Sequence, residues 1–124
     1  MSAPVGPYSP SVRVGDWVAT SGQLGVAPGP EGRPALVEGG TAAELRQALA
    51  NVAAVLADEG LGLADVVKAT VFLADMADFP LVNEIWTEVV PEPRPARSAV
   101  QVAALPLGAR VEVEVWAHPG RGAG

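Results

Sequence analysis

Two periods of hydrophobicity run through this chain. The strictest spans Arg110 to Val115, where R-V-E-V-E-V repeats every second residue. Val111, Val113 and Val115 then face one way, and Glu112 and Glu114 the other. Ser98 to Val102 alternates in the same manner, and Leu105-Pro106-Leu107-Gly108 between the two stretches carries turn residues. Together they predict an antiparallel hairpin with Arg97 near one end and a carboxylate on the return strand. Pro95 fixes its own φ and biases Arg94 towards extended backbone, so Arg97 enters its strand through a constrained lead-in. Val66 to Leu73 is apolar on both faces, with Val67, Ala69, Val71 and Leu73 on one side and Val66 and Phe72 on the other. That pattern predicts a central strand.

A period near four marks the helices. Leu45, Leu49, Val52 and Leu56 form an apolar stripe, which predicts a helix from Thr41 to about Glu59. Thr41 with Glu44 three residues later has the form of a capping box, and Gly60 stands at the C′ position. Asn51 lies beside the stripe and reads either as helix surface or as a satisfied buried amide. Asp78 is the expected N-cap of a second helix running to about Val89. Its stripe is Val82, Ile85, Trp86 and Val89, and Pro91 and Pro93 follow its end. Before the helices, Val12–Val14 and Trp17–Ser21 predict a hairpin about Gly15-Asp16. Gly22 then allows either a β-bulge or the close approach of a ligand. Val26 to Gly40 reads as mostly loop, with a short strand at Ala35–Val37.

The expected order is therefore β-β-(β)-α-β-α-β-β, an α+β domain covering residues 1–124. Two helices cover only one face of such a mixed sheet, yet its strands carry apolar residues on both. A further copy of the chain is the natural cover for the second face. At 124 residues, folding buries roughly two-thirds of the unfolded chain's surface, enough for a core without staples.

Composition narrows the function. The net charge is −6 and the eight Lys and Arg are scattered, which argues against nucleic acid as a partner. Cysteine is absent, so there is no thiolate nucleophile and no disulfide framework, in keeping with a cytoplasmic protein. The start of the chain lacks the form of a signal peptide, and no apolar run is long enough to span a bilayer. His118 is the only histidine and has no partner at ligand spacing, so no metal is expected. Trp17, Trp86 and Trp116 read as packing residues. Arg97 reads in two ways. It pairs with Glu114 or another acidic neighbour on a solvated face, or it forms a fork for one small anion.

Several short motifs occur in register along almost the whole chain. They are Gly6-Pro7-Tyr8-Ser9, Thr20-Ser21-Gly22-Gln23, Asn51, Asp65-Val66-Val67-Lys68, Asp75-Met76, Val82-Asn83, Pro95-Ala96-Arg97-Ser98, Leu105-Pro106 and Val111-Glu112-Val113-Glu114. In this the chain resembles the RidA family of reactive-intermediate deaminases (YjgF-type). The resemblance implies a chorismate-mutase-like fold, with two helices packed on one face of a mixed sheet. It implies a homotrimer with three sites in clefts between subunits. It also implies hydrolysis of 2-imino acids and their enamine tautomers, such as 2-iminobutanoate and 2-iminopropanoate, to 2-oxo acids and ammonia without a cofactor. By the same resemblance Arg97 binds the substrate carboxylate and Glu112 orients the attacking water, while Tyr8, Ser21, Gly22 and Asn83 line the pocket. The chain departs from the family pattern at Pro10, where many members have glutamine, and at Ala99, where many have cysteine. The segment between Asn83 and Arg97 is short.

The chemistry suits such a site. An imine carbon is already electrophilic and needs orientation and a water. A guanidinium offers parallel N–H bonds to a carboxylate, and a carboxylate opposite accepts the proton of the attacking water. The competing reading is a trimer of the same fold that only binds small carboxylates or holds other proteins.

Overall fold

The strand that is apolar on both faces takes an interior place in the main sheet. The computed structural model describes residues 6–123. The strands are β1 (Ser11–Val14), β2 (Trp17–Thr20), β3 (Gln23–Leu24), β4 (Val26–Pro28), β5 (Pro34–Leu36), β6 (Val66–Leu73), β7 (Ala96–Gln101) and β8 (Val111–Ala117). The helices are α1 (Gly40–Ala57), α2 (Phe79–Val89) and a short α3 (Pro119–Ala123), which the sequence pattern did not predict. The main sheet has the order β1-β2-β8-β6-β7, with β3 also paired to β8.

The predicted hairpin between the Arg97 strand and the Glu112 strand does not form. β6 lies between them, parallel to β7 and antiparallel to β8. The strand that can bury both faces displaces the pairing that sequence adjacency favours. A register shift between Val66 and Lys68 corrects a second expectation. Val66 turns into the core at 3% exposure, while Val67 is only half-buried.

The helical stripes behave as predicted. Leu45, Leu49, Val52 and Leu56 of α1, with Val82, Ile85 and Trp86 of α2, pack on Ala69, Val71 and Leu73 of β6 and on the three valines of β8. Burying each such leucine stabilises the fold by about 1.5–3 kcal/mol relative to leaving it exposed. Gly60, at φ 74°, closes α1 in the left-handed region, and the Leu61 N–H donates back to Leu56 O at 2.9 Å. The capping box is absent, because both of its members have tertiary partners. Thr41 Oγ1 donates to Asp78 Oδ2 at 2.6 Å, and Glu44, almost fully buried, accepts from the Arg110 backbone N–H at 2.8 Å. Asp78 is the N-cap of α2 by position only, since its carboxylate serves Thr41 and Arg110 instead.

Asn51 is the satisfied amide. Its Nδ2 donates to Leu24 O and Val26 O at 3.0 and 2.9 Å and so pins the β3–β4 corner to α1. In the stretch from Val26 to Gly40, the expected short strand at Ala35–Val37 is present as β5, one residue earlier, and it pairs with an unpredicted β4 in a two-stranded ribbon. Between Ala19 and Gln23 the register against β8 advances by one residue, so Ser21 and Gly22 stand at a bulge. The helices cover one face of the main sheet. The other carries Val12, Val14, Trp17, Val100 and Trp116, each between 42% and 72% exposed.

A candidate active site in two halves

Arg97 sits on β7, the edge strand next to β6. It pairs with the core residue Ala69, so its side chain lies on the helix-covered side. There Nη2 donates to Asn83 Oδ1 at 2.6 Å, and the guanidinium carbon lies 5.1 Å from the Trp86 ring centroid and 5.5 Å from that of Phe79. Phe79, Asn83 and Trp86 follow one another at spacings of four and three, which places them along one face of α2. Partial burial lowers the Arg97 pKa from its ordinary value, yet a guanidinium stays cationic. Arg97 enters no ion pair among the described residues; an amide and two aromatic faces hold it instead. It opens on a cleft of about 290 Å³ that Asn83, Trp86, Thr87, Arg94 and Pro95 also line.

Of the two readings of Arg97, pairing with Glu114 does not occur. Glu114 stands opposite Thr70 on the uncovered face of the sheet. The expectation that Trp86 only packs also needs correction, because its ring is both core and platform for Arg97. The spacing from Phe79 through Asn83 to Trp86 was the available signal.

Glu112 lies on the uncovered face, opposite Phe72 of β6. Burial raises its carboxyl pKa, and the neighbouring Glu114 carboxylate raises it further. A proton acceptor shifted in this direction is better matched to neutral pH than an ordinary glutamate. Gly22 presses against it: a Cβ there would lie 2.6 Å from Glu112 Cδ and 2.9 Å from Oε2. Ser21 holds the bulge in place, with its N–H donating to Pro10 O at 2.8 Å and its Oγ to Ser9 O at 2.6 Å. Tyr8, 47% exposed, is next along the chain from Ser9.

The five positions expected to line the pocket, with Glu112, thus fall into two groups. Arg97 meets Asn83 on the α2 side. Glu112 meets Gly22 on the open face, with Ser21 and Tyr8 leading up to it. No hydrogen bond or ion pair joins the groups among the described residues. Nor does any group of three or more His, Cys, Asp or Glu there form a possible metal site. His118 instead packs edge-on against Trp17, with ring centroids 5.0 Å apart.

A family model described as Endoribonuclease L-PSP matches residues 1–119. A crystal structure of RidA from an Antarctic Psychrobacter superposes with a TM-score of 0.86 at 45% identity, covering 94% of this chain and 91% of that one. The chain belongs to the RidA family. Its family relatives include the Bos taurus protein named 2-iminobutanoate/2-iminopropanoate deaminase. That protein is 48% identical over 118 residues, which is 95% of this chain and 84% of the bovine one. Schizosaccharomyces pombe has a member named "Protein mmf1, mitochondrial", 41% identical over 88% of this chain and 66% of its own length. No helix among the described residues is long and apolar enough to cross a membrane.

Proposed function

We propose that the chain is an imine deaminase that hydrolyses small 2-imino acids, 2-iminobutanoate and 2-iminopropanoate among them, to 2-oxo acids and ammonia. The single observation that carries this reading is a cation held ready for a carboxylate. Arg97, fixed by Asn83 and Trp86, faces an open cleft without an acidic partner. The bovine relative's name supplies the reaction. In the proposed cycle Arg97 grips the substrate carboxylate and fixes the C=N carbon. Glu112 takes a proton from water as its oxygen bonds to that carbon, and returns a proton to nitrogen as the C–N bond breaks. Tyr8, Ser21 and Gly22 shape the wall around the water. We place the enzyme in the cytoplasm, although the fission-yeast relative bears a mitochondrial name.

The active form we propose is a chorismate-mutase-like homotrimer in which one chain supplies Arg97 and another Glu112. Two features support it. The two residues lie on opposite sides of one sheet, and the open face is apolar enough to need a cover. The reaction is tested with a threonine dehydratase as the imine source and semicarbazide as the trap. A deaminase lowers the trapped yield, whereas a carboxylate binder leaves it unchanged. The shared site is tested by co-refolding Arg97→Lys chains with Glu112→Gln chains. Random mixing should recover about a quarter of wild-type activity, the fraction of shared sites that draw both native residues. A mixture as inactive as its parents would place the site within one chain.

A further inference from the structure

The cleft beside Arg97 holds a second guanidinium that the hydrolysis of a monocarboxylic imine does not use. Arg94 lines it together with Arg97. Two of the chain's eight Lys and Arg therefore converge on one cleft, while none of its 14 Asp and Glu lines the wall. On a chain of net charge −6 this concentrates two cations at one cleft, one unpaired among the described residues and one paired only with an exposed carboxylate, and clustered cations attract anions. Arg94 is anchored from behind, with Nη2 donating to Thr87 O in the last turn of α2 at 3.1 Å. Its Nη1 meets Glu92 at 2.8 Å, but that carboxylate is 76% exposed. An exposed pair of this kind is worth little and yields to a ligand carboxylate. The other N–H donors of Arg94 are uncommitted among the described residues.

Distance and volume agree. Pro95 and Ala96 separate the two arginines, so their Cα atoms are at most roughly 10 Å apart along extended backbone. Both side chains line one cleft within that span. The cleft, about 290 Å³ and open to solvent, leaves space beside Arg97 for a substrate side chain that reaches towards Arg94.

We propose that this site prefers imino acids with a second carboxylate on the side chain, the α-carboxylate bound by Arg97 and the distal one by Arg94. The proposal rests on the hydrolase reading above and narrows its substrate class. The chemistry is unchanged. Water adds to the imine carbon, the C–N bond breaks, and a 2-oxo dicarboxylate and ammonia leave with no change of oxidation state.

The test compares 2-iminoglutarate with 2-iminobutanoate. Each is generated in place by an amino-acid oxidase with catalase, and semicarbazide reports the imine left unhydrolysed. The dicarboxylic substrate should have the higher kcat/KM by at least about ten-fold, the effect of one hydrogen-bonded charge pair. Arg94→Gln should bring the ratio of the two kcat/KM values close to one, and Arg94→Lys should restore part of it. A wild-type preference for 2-iminobutanoate, or a ratio that Arg94→Gln leaves unchanged, overturns the inference while the hydrolase reading stands. If neither imine is hydrolysed, the hydrolase reading fails. Calorimetry with 2-oxoglutarate and 2-oxobutanoate then decides the cleft separately. Tighter binding of 2-oxoglutarate that is lost in Arg94→Gln upholds the two-arginine site, and equal binding of both acids overturns it.

Discussion

Gly22→Ala should silence the enzyme while leaving it folded. The new Cβ would stand 2.6 Å from Glu112 Cδ, and ordinary contact begins at 3.4 Å, so the carboxylate must retreat by about 0.8 Å. Gly22 lies outside the left-handed backbone region, so alanine brings no φ strain. The part that yields is the end of the Glu112 side chain, because β8 is held on one edge by β6 and on the other by β3. A misplacement of about 1 Å at a reacting centre costs on the order of 100-fold in rate, equivalent to about 2.7 kcal/mol of barrier. Steady-state turnover of 2-iminobutanoate should show kcat reduced by about that factor. Calorimetry should find 2-oxobutanoate binding within a few-fold of wild type, since Arg97 is untouched. Gly25→Ala is the contrast. There the Cβ would meet the Glu44 Cα and carbonyl oxygen at 2.5 Å, and α1 backbone cannot give way, so the unfolding midpoint should fall instead. A Gly22→Ala enzyme with wild-type kcat would refute the role given to Glu112, and one that unfolds would refute the claim that the side chain yields.

Further outcomes follow from the same geometry. Arg97→Lys keeps the charge but loses the planar fork and its place over Trp86, so pyruvate binding by calorimetry and turnover should fall together. The rate should drop as pH falls through the raised Glu112 pKa, and Glu114→Gln should move that limb of the pH–rate profile to lower pH. The sign for stability is opposite. A raised carboxyl pKa favours the fold at low pH, and this contribution is lost as pH rises from the unfolded to the folded pKa. Glu112→Gln should therefore raise the neutral-pH denaturation midpoint while abolishing most turnover. Glu44→Ala would leave the Arg110 N–H without its acceptor and should cost about 1–3 kcal/mol by urea titration.

Much of the fold was legible where burial imposes a period. The α1 stripe, the valines of β8 and β6 from Ala69 to Leu73 sit as their patterns required, because a one-residue slip would expose the whole set, while the register shift at Val66 is the one place where β6 departs from its pattern. Local signals failed where distant groups competed for the same atoms. Thr41 and Glu44 have the spacing of a capping box, but Asp78 and the Arg110 N–H lie within reach once the chain folds. Adjacency suggested pairing β7 with β8, yet only β6 could fill the place between them. Along one chain, no pattern shows that Arg97 and Glu112 end on opposite sides of a sheet. Each was recognisable singly by its motif, and their separation follows from strand order alone.

Trp86 belongs at once to the hydrophobic core and to the wall of the Arg97 cleft. With the cleft as the proposed substrate site, foldedness and ligand choice are coupled at that one residue, and drift there is penalised twice. Phe79 and Asn83 lie on the same helical face but outside the core cluster. On that proposal, new substrate ranges are accessible to evolution, or to an engineer, through those two positions and Arg94, with Trp86 left as the fixed hinge of the design.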